Sequence, residues 1–288
     1  MKARYADSDG TVARDGVEIR YERYGEGSPA ILLLPTWSLV HSRHWKMQIP
    51  YLARHFIVVS FDGRGSGGSG RPADASAYSD SAFASDALAV MDAAGVDRAV
   101  LVSVSCGALW ALRLCAEHPD RVLGAVFIAP TAPLVPPLAE RRVQRFGQVI
   151  DEPAGWQTYN AHYWKTNYPE FVAFFVGRIF TEQHSTKQIE DATRWALEID
   201  GETLAAAHLG LECCDAAAVS RLAARVDCPV LVMHGTQDAV RGYGEGQALA
   251  SCTGGALVTL EGAGHFPHAR DPVRVNLLIK QFADRVGR

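Results

Sequence analysis

Short runs of apolar residues recur along the chain, and stretches with helical spacing of apolar positions separate most of them. The apolar runs cover residues 30–34, 56–61, 99–104, 124–129, 229–233 and 256–260. Nearly continuous apolar runs of this length are typical of strands buried on both faces of a parallel sheet. The helical patterns cover residues 44–53, 79–94, 106–117, 243–251 and 272–286. This alternation predicts a doubly wound α/β fold with a mostly parallel sheet.

The first strands are expected to differ from the rest. Asp15-Gly16 is a tight-turn signal, and after it Val17, Ile19 and Tyr21 alternate with charged residues. Alternation of this kind is typical of a strand with one buried face, so the chain is predicted to begin with a β-hairpin.

One long segment lacks the pattern of a buried strand. Between residues 129 and 228 the sequence is helical in spacing, and nine aromatic residues fall within positions 156–180. We interpret residues 131–225 as a helical lid inserted into an α/β core that comprises residues 1–130 and 226–288. Each aromatic residue there is expected either to hold the lid helices on the core or to line a pocket.

Composition and charge restrict the class of protein. The chain has 288 residues, of which 48% are hydrophobic and 21% charged, as in a protein with a large core. A net charge of −4 without a basic stripe argues against nucleic-acid binding. No apolar leader or membrane-spanning run is visible. The six cysteines, Cys213-Cys214 among them, contain no Cys-x-x-Cys pair, so we expect a cytoplasmic protein without structural disulfides.

A candidate nucleophile follows the apolar run 99–104. Ser105 stands between this predicted strand and a predicted helix, where a sharp turn would project its hydroxyl above the sheet. Such a turn needs small neighbours two positions away, and here they are Ser103 and Gly107. A serine that only caps the helix is the alternative. Cys106 is a second candidate nucleophile, but its register would place the bulky Val104 where a small residue is needed.

A serine hydroxyl needs a base, and the base needs a carboxylate to orient it. His265 follows the last predicted strand and Asp238 follows the one before, which puts both at the same sheet edge as Ser105. His268 is the alternative base, although a position at the helix start or facing solvent suits it better. A metal site that combines His265 and His268 would lack a third ligand, so no metal is expected.

From about residue 10 onward the chain resembles the α/β-hydrolase superfamily. The resemblance is carried by the turn at Ser105, by Asp238 after His-Gly-Thr-Gln, by Gly-x-Gly-His265, and by the glycine-rich loop 61–72. The order Ser, Asp, His is the one this superfamily uses. The family usually has His-Gly after the third strand, whereas this chain has Leu34-Pro35-Thr36-Trp37. By position, the backbone N–H groups of Trp37 and Cys106 would form the oxyanion hole.

The resemblance implies a serine hydrolase that cleaves an ester, thioester or lactone through an acyl-enzyme, with a small molecule as its only partner and no cofactor. The aromatic lid favours an apolar or aromatic substrate, with pocket walls expected from Trp37, Tyr159, Tyr163 and Trp164. An acyltransferase, a C–C bond hydrolase and a non-catalytic ligand receptor on the same fold are the alternatives. Epoxide hydrolases and dehalogenases are disfavoured, because they carry Asp at the position of Ser105.

Basic residues in the predicted lid have a simpler interpretation. Arg141, Arg142 and Arg145 could meet an acidic partner, but a helix face in contact with solvent is the expectation for such a group. The sequence does not indicate an oligomeric state.

Overall fold

The computed structural model describes residues 4–211 and 215–287, and within them the strands form one eight-stranded sheet. In chain order the strands are β1 (Ser8–Arg14), β2 (Val17–Tyr24), β3 (Ala30–Leu33), β4 (Ile57–Phe61), β5 (Ala99–Val104), β6 (Val122–Ile128), β7 (Val230–Gly235) and β8 (Ala256–Leu260). Their spatial order is β1-β2-β4-β3-β5-β6-β7-β8. The strands from β4 to β8 in that order pair in parallel, whereas β1 with β2 and β2 with β4 pair antiparallel.

The helices are α1 (Ile49–Leu52), α2 (Asp80–Ala93), α3 (Gly107–Glu117), α4 (Ala161–Ile179), α5 (Thr186–Ala196), α6 (Gly201–Leu209), α7 (Ala216–Ala223), α8 (Tyr243–Thr253), α9 (Pro267–Arg270) and α10 (Pro272–Val286). The predicted α/β alternation is confirmed by this order. The predicted helix 44–53 is instead a 3-10 turn followed by the single turn α1. Pro50 explains the break, because a proline has no N–H to donate to the preceding turn.

Burial of the central strands follows from their apolar composition. All six residues of β5 are buried, since helices cover both faces of the sheet there. At the edge, β1 and β2 form the predicted hairpin, and the turn residues Asp15 and Gly16 have φ values of 50° and 78°. Both central residues of a type I′ turn need positive φ, which suits an Asp-Gly pair.

Helices and turns, with no strand in its described part, make up the segment between β6 and β7. Helix α4 packs against α5 and α6 and is kinked at Asn167, two residues before Pro169. The kink is expected, because Pro169 has no N–H to donate to the preceding turn and its ring crowds the carbonyl four residues before it. Helix α7 also lies in this segment, but it packs against α3 and α8 beside the sheet.

Two further expectations concern cysteines and membranes. Of the cysteines in the part of the chain that is described, Cys106, Cys115, Cys228 and Cys252 are free thiols. Cys213 and Cys214 lie outside the described residues.

Across 4–211 and 215–287, no helix combines the length and the apolar composition that a bilayer crossing requires.

Candidate active site

Ser105 occupies the turn between β5 and α3 with a backbone φ of 52°. Left-handed geometry in a residue other than glycine is costly and persists only where the surroundings enforce it. Three backbone hydrogen bonds do so here. The Ser105 N–H donates to Ile128 O at 3.1 Å, and the Ser105 carbonyl accepts from Ala108 N and Thr131 N at 3.0 Å each. The strand-turn-helix geometry predicted for Ser105 is therefore present.

Gly107 explains how the start of α3 fits against the neighbouring loop. A Cβ atom at this position would collide with the carbonyl oxygen of Pro35 and would lie 3.5 Å from Ser103 Cβ. The small residue two positions after Ser105 is thus required by close packing. This packing also places Cys106 and the loop that contains Trp37 on the same wall of one cavity.

The geometry at Cys106 does not favour this residue as the nucleophile. Its backbone is helical, with φ −61° and ψ −27°, so the strained residue of the turn is Ser105. Its buried thiol accepts from Thr131 Oγ1 at 3.7 Å. Burial raises the pKa of the Cys106 thiol, so it stays protonated at neutral pH and is a poor nucleophile.

Asp238 and His265 are in direct contact. His265 Nδ1 lies 2.7 Å from Asp238 Oδ2, and both side chains are buried. Burial of Asp238 opposes ionisation, but His265 and His234 outweigh it and hold the pKa of this carboxyl well below its ordinary value. An ionised carboxylate can only accept, so Nδ1 of His265 is the donor and its Nε2 can accept a proton.

A second histidine, which the sequence reasoning missed, contacts the same carboxylate. His234 Nε2, at the end of β7, lies 3.0 Å from Asp238 Oδ2 and 3.1 Å from Arg241 O. Asp238 Oδ1 accepts from the backbone N–H groups of Val240 and Arg241 at 2.8 Å each. Both oxygens of Asp238 are therefore paired. A histidine four residues before the acid, at a strand end, was the available signal in the sequence.

The loop that carries His265 is held from two sides. A Cβ at Gly235 would collide with Ala263 O, so the end of β7 packs directly on this loop. The His265 N–H donates to Ile179 O at 3.0 Å, which joins the loop to the end of α4. No hydrogen bond between Ser105 and His265 occurs among those formed by the described residues.

His268, the alternative base, has a different environment from the one expected. It is fully buried, and its Nε2 lies 3.1 Å from His44 Nδ1. Burial lowers the pKa of His268 to about 3, and His265 contributes to the shift. In the residues that the structure describes, no three His, Cys, Asp or Glu side chains form a group that could hold a metal ion.

A cavity of about 170 Å³ lies beside Ser105. Its apolar walls come from both the core and the segment between β6 and β7: Trp37, Leu109, Pro133, Phe146, Tyr159, Phe175, Leu211 and Val240. Of the aromatic residues expected to form a pocket, Trp37 and Tyr159 line it and stack at a centroid distance of 5.5 Å. Trp164 packs behind Tyr159 at 5.1 Å, and neither Trp164 nor Tyr163 is among the lining residues.

Polar groups also reach this cavity, and most were not predicted. They are Ser105, Cys106, Thr131, Arg141, Gln144, His208 and Arg241. Arg141 differs from the solvent-facing position expected for it, whereas Arg142 and Arg145 are exposed. Its Nη1 donates to Val240 O at 2.6 Å, and its guanidinium lies 4.9 Å from the Trp156 ring centroid. Arg241 follows Asp238 by three residues, which was the one local signal for its position.

The two residues whose backbone N–H groups are expected at an oxyanion hole both contribute to the cavity wall. Trp37 and Cys106 both line the cavity together with Ser105. Neither backbone N–H is a donor in the hydrogen bonds of the described residues, so both are available to a ligand oxygen.

Comparison with known proteins places these features in a family context. A family model described as the alpha/beta hydrolase fold matches residues 29–272. Epoxide hydrolase A of Mycobacterium tuberculosis is 35% identical over 149 residues, which are 50% of this chain and 45% of that protein. The chain therefore spans less than half of that relative's length. 3-oxoadipate enol-lactonase 2 of Acinetobacter baylyi is 23% identical over 279 residues, 96% of each protein.

Solved structures agree on the architecture. A thermophilic esterase from Thermogutta terrifontis, with malate bound, superimposes with a TM-score of 0.79 at 24% identity, covering 98% of this chain and all of that one. Likeness at this level of identity shows the fold, and the predicted fold class is confirmed.

Proposed function

Because this chain belongs to the α/β-hydrolase family, we propose that it is a serine hydrolase that cleaves an ester, thioester or lactone through an acyl-enzyme. Ser105 is the nucleophile, His265 the general base, and Asp238 the carboxylate that orients the base. The proposal is supported by the strained turn at Ser105 and by the 2.7 Å contact between His265 and Asp238.

The first chemical step is attack on the substrate carbonyl. His265 Nε2 accepts the proton of the Ser105 hydroxyl as Oγ bonds to the carbonyl carbon, and the carbonyl oxygen takes up the negative charge. The ionised Asp238 stabilises the imidazolium that forms. Its low pKa keeps it ionised throughout, so it accepts from Nδ1 and takes no proton itself.

The oxyanion is stabilised by backbone donors. The N–H groups of Trp37 and Cys106 are free to bind it, and each such donor contributes about 3 kcal/mol to lowering the barrier. When the intermediate collapses, the imidazolium protonates the leaving group and the acyl-enzyme remains. His265 then deprotonates a water molecule that attacks the acyl carbon, and the acid and the free Ser105 hydroxyl are released.

The cavity supports a small substrate with apolar parts. Its volume of about 170 Å³ is below the several hundred Å³ of sites for drug-sized ligands. The rings of Trp37 and Tyr159 are part of its apolar wall. An ester or a lactone fits both this size and the activities named for the enol-lactonase and esterase relatives. Ser105 stands where epoxide hydrolases are expected to carry Asp, so carbonyl chemistry is favoured over epoxide opening.

The observation that carries the proposal is the left-handed Ser105 on the wall of the cavity, beside two unused backbone donors. Burst kinetics with 4-nitrophenyl acetate test it. The wild type should release one equivalent of nitrophenolate per chain in the burst, and Ser105→Ala should abolish both burst and turnover. Ser220→Ala, an exposed serine on α7, is the matched control and should behave as the wild type. A burst that survives Ser105→Ala but is lost in Cys106→Ala would overturn the assignment.

A further inference from the structure

The cavity beside Ser105 is rich in donors that lack acceptors. Trp37 Nε1, Arg141 Nε and Gln144 Nε2 are all buried and have no hydrogen-bond partner among residues 4–211 and 215–287. All three residues line the cavity, and its described lining contains no Asp or Glu. Buried donors are normally paired, so three unpaired donors around one cavity indicate a ligand that supplies acceptors.

The positive charge of the cavity also indicates a ligand with acceptor groups, and specifically an anion. Arg141 and Arg241 both line it, and burial together with the nearby Arg241 lowers the pKa of Arg141 to about 10. Arg241 Nη1 lies 3.6 Å from Glu245 Oε1, outside hydrogen-bond distance, and Glu245 Oε2 already accepts from Ala132 N at 2.8 Å. Both guanidinium groups lie near the Glu245 carboxylate, and the charge of Asp238, which is already paired with His265 and His234, also acts on Arg241. Uncompensated like charges in a partly buried site are unfavourable unless an anion joins them.

We propose that Arg141 and Arg241, with Gln144, bind a carboxylate group of the substrate, so that the enzyme acts on esters or lactones that carry a second, ionised carboxyl group. This inference rests on the proposed function, because it names the substrate class of the same site. A guanidinium group matches a carboxylate in shape and can bind both oxygens at once. The aromatic walls contact the carbon chain between this carboxylate and the carbonyl that Ser105 attacks.

His208 fits a carboxylate site as a neutral group. Its Nδ1 lies 3.1 Å from Tyr159 Oη, and burial together with Arg141 and Arg241 lowers the pKa of His208 to about 4. The imidazole is uncharged at neutral pH and leaves the arginines as the cations of the cavity. The recognition of an anion is therefore expected to persist across the neutral pH range.

A pair of substrates tests the proposal. 4-Nitrophenyl hydrogen adipate carries a free carboxylate, and 4-nitrophenyl methyl adipate is its neutral ester. The wild type should show a kcat/KM at least tenfold higher for the anionic substrate. Arg141→Gln and Arg241→Gln should each lower kcat/KM for the anionic substrate about tenfold to a hundredfold, the effect of losing a hydrogen bond to a charged group. Circular dichroism and chemical denaturation of both variants show whether they fold, and the readout is the ratio of kcat/KM for the anionic and the neutral ester.

The control is the exposed neighbour Arg142. Arg142→Gln changes the net charge by the same amount without touching the cavity, so it should keep the preference for the anionic substrate. Equal kcat/KM values for the two esters in the wild type, or a preference that survives both Arg141→Gln and Arg241→Gln, would overturn the carboxylate site while leaving the serine hydrolase intact.

Binding without catalysis separates this inference from the proposed function. Titration calorimetry in the Ser105→Ala background, which cannot hydrolyse the ligand, should show binding of monomethyl adipate and about tenfold or greater weakening when Arg141→Gln or Arg241→Gln is added. If neither ester is hydrolysed but this pattern is found, the proposed function fails and the carboxylate site stands. If monomethyl adipate binds no more tightly than dimethyl adipate, the carboxylate site is refuted.

Discussion

The surroundings of Asp238 and the wall of the cavity beside Ser105 differ in how completely their polar groups are paired. Asp238 Oδ2 contacts His265 and His234, and Oδ1 accepts from two backbone N–H groups. In the cavity, by contrast, Arg141 Nε and Gln144 Nε2 have no hydrogen-bond partner in the part of the chain that the structure describes. A saturated set of hydrogen bonds fixes a group in one geometry, whereas unpaired donors are completed by a ligand. Under the proposed function, the first region would position the catalytic groups and the second would recognise the substrate.

The largest effect on kcat should come from removing the negative charge of Asp238. In Asp238→Asn the amide cannot hold the same His265 tautomer, so kcat should fall by about 10⁴-fold. Ester hydrolysis at pH 7.5 measures it, with circular dichroism to show that the variant folds. The exposed Asp120→Asn is the matched control and should keep wild-type kcat. A loss of less than tenfold in Asp238→Asn would refute the role of Asp238.

A second prediction concerns the close contact at Gly107 that holds the start of α3 against the loop with Trp37, beside the cavity. Gly107→Ala should lower the free energy of unfolding by about 1–3 kcal/mol, because the new methyl group collides with Pro35 O. Chemical denaturation measures the change. Gly177→Ala, in α4 with no atom near its added methyl group, is the control and should be neutral or stabilising by up to about 1 kcal/mol. Equal stability of both variants would contradict the close packing at Gly107.

Substitutions of His234 test whether the second histidine in contact with Asp238 affects kcat. His234→Phe removes one of the two histidine contacts at Asp238 Oδ2, which should lower kcat about tenfold with little change in KM, as expected when a group acts by positioning the catalytic residues. His234→Gln keeps a donor near the position of Nε2 and should recover part of the loss. A parallel fall in kcat for both variants would assign His234 a packing role only.

The smallest predicted effect is a change in the pKa of His208, which depends on the charges of the arginines that line the cavity. The pKa of His208 is about 4, below its ordinary value of 6.5. As pH falls from about 6.5 to 4, the unfolded chain takes up a proton at His208 and the folded chain does not, so this histidine lowers the stability in that window and has no such effect above it. Arg241→Gln should raise the pKa of His208, measured by NMR titration of the imidazole C–H signals. An unchanged pKa would contradict the proximity of these charges.

The parts of the structure that depend on local pattern were predictable from the sequence. Runs such as 99–104 are apolar enough to indicate strands buried on both faces, and β5 has those bounds. Ser105, Asp238 and His265 each stand just after a predicted strand. Because the carboxyl ends of parallel strands lie at one edge of the sheet, residues that follow these strands are placed on the same side of the molecule.

The cavity wall was less predictable, because it combines segments far apart in the chain. Arg141 was expected to face solvent, and yet it turns toward Val240, about a hundred residues further on, whereas its neighbour Arg142 is exposed. Nothing in the spacing of adjacent arginines distinguishes the two. Trp164 and Tyr159 likewise share an aromatic block, and only the packing of α4 decides that Tyr159 lines the cavity and Trp164 lies behind it.

The central claim is that Ser105 is an activated nucleophile. The most direct test is to label the protein with a fluorophosphonate and locate the adduct by peptide mass spectrometry, in the wild type and in His265→Ala. The account predicts one adduct, on Ser105, which forms rapidly in the wild type and at least a hundredfold more slowly in His265→Ala. An adduct on another residue, or equal labelling rates in the two proteins, would contradict it.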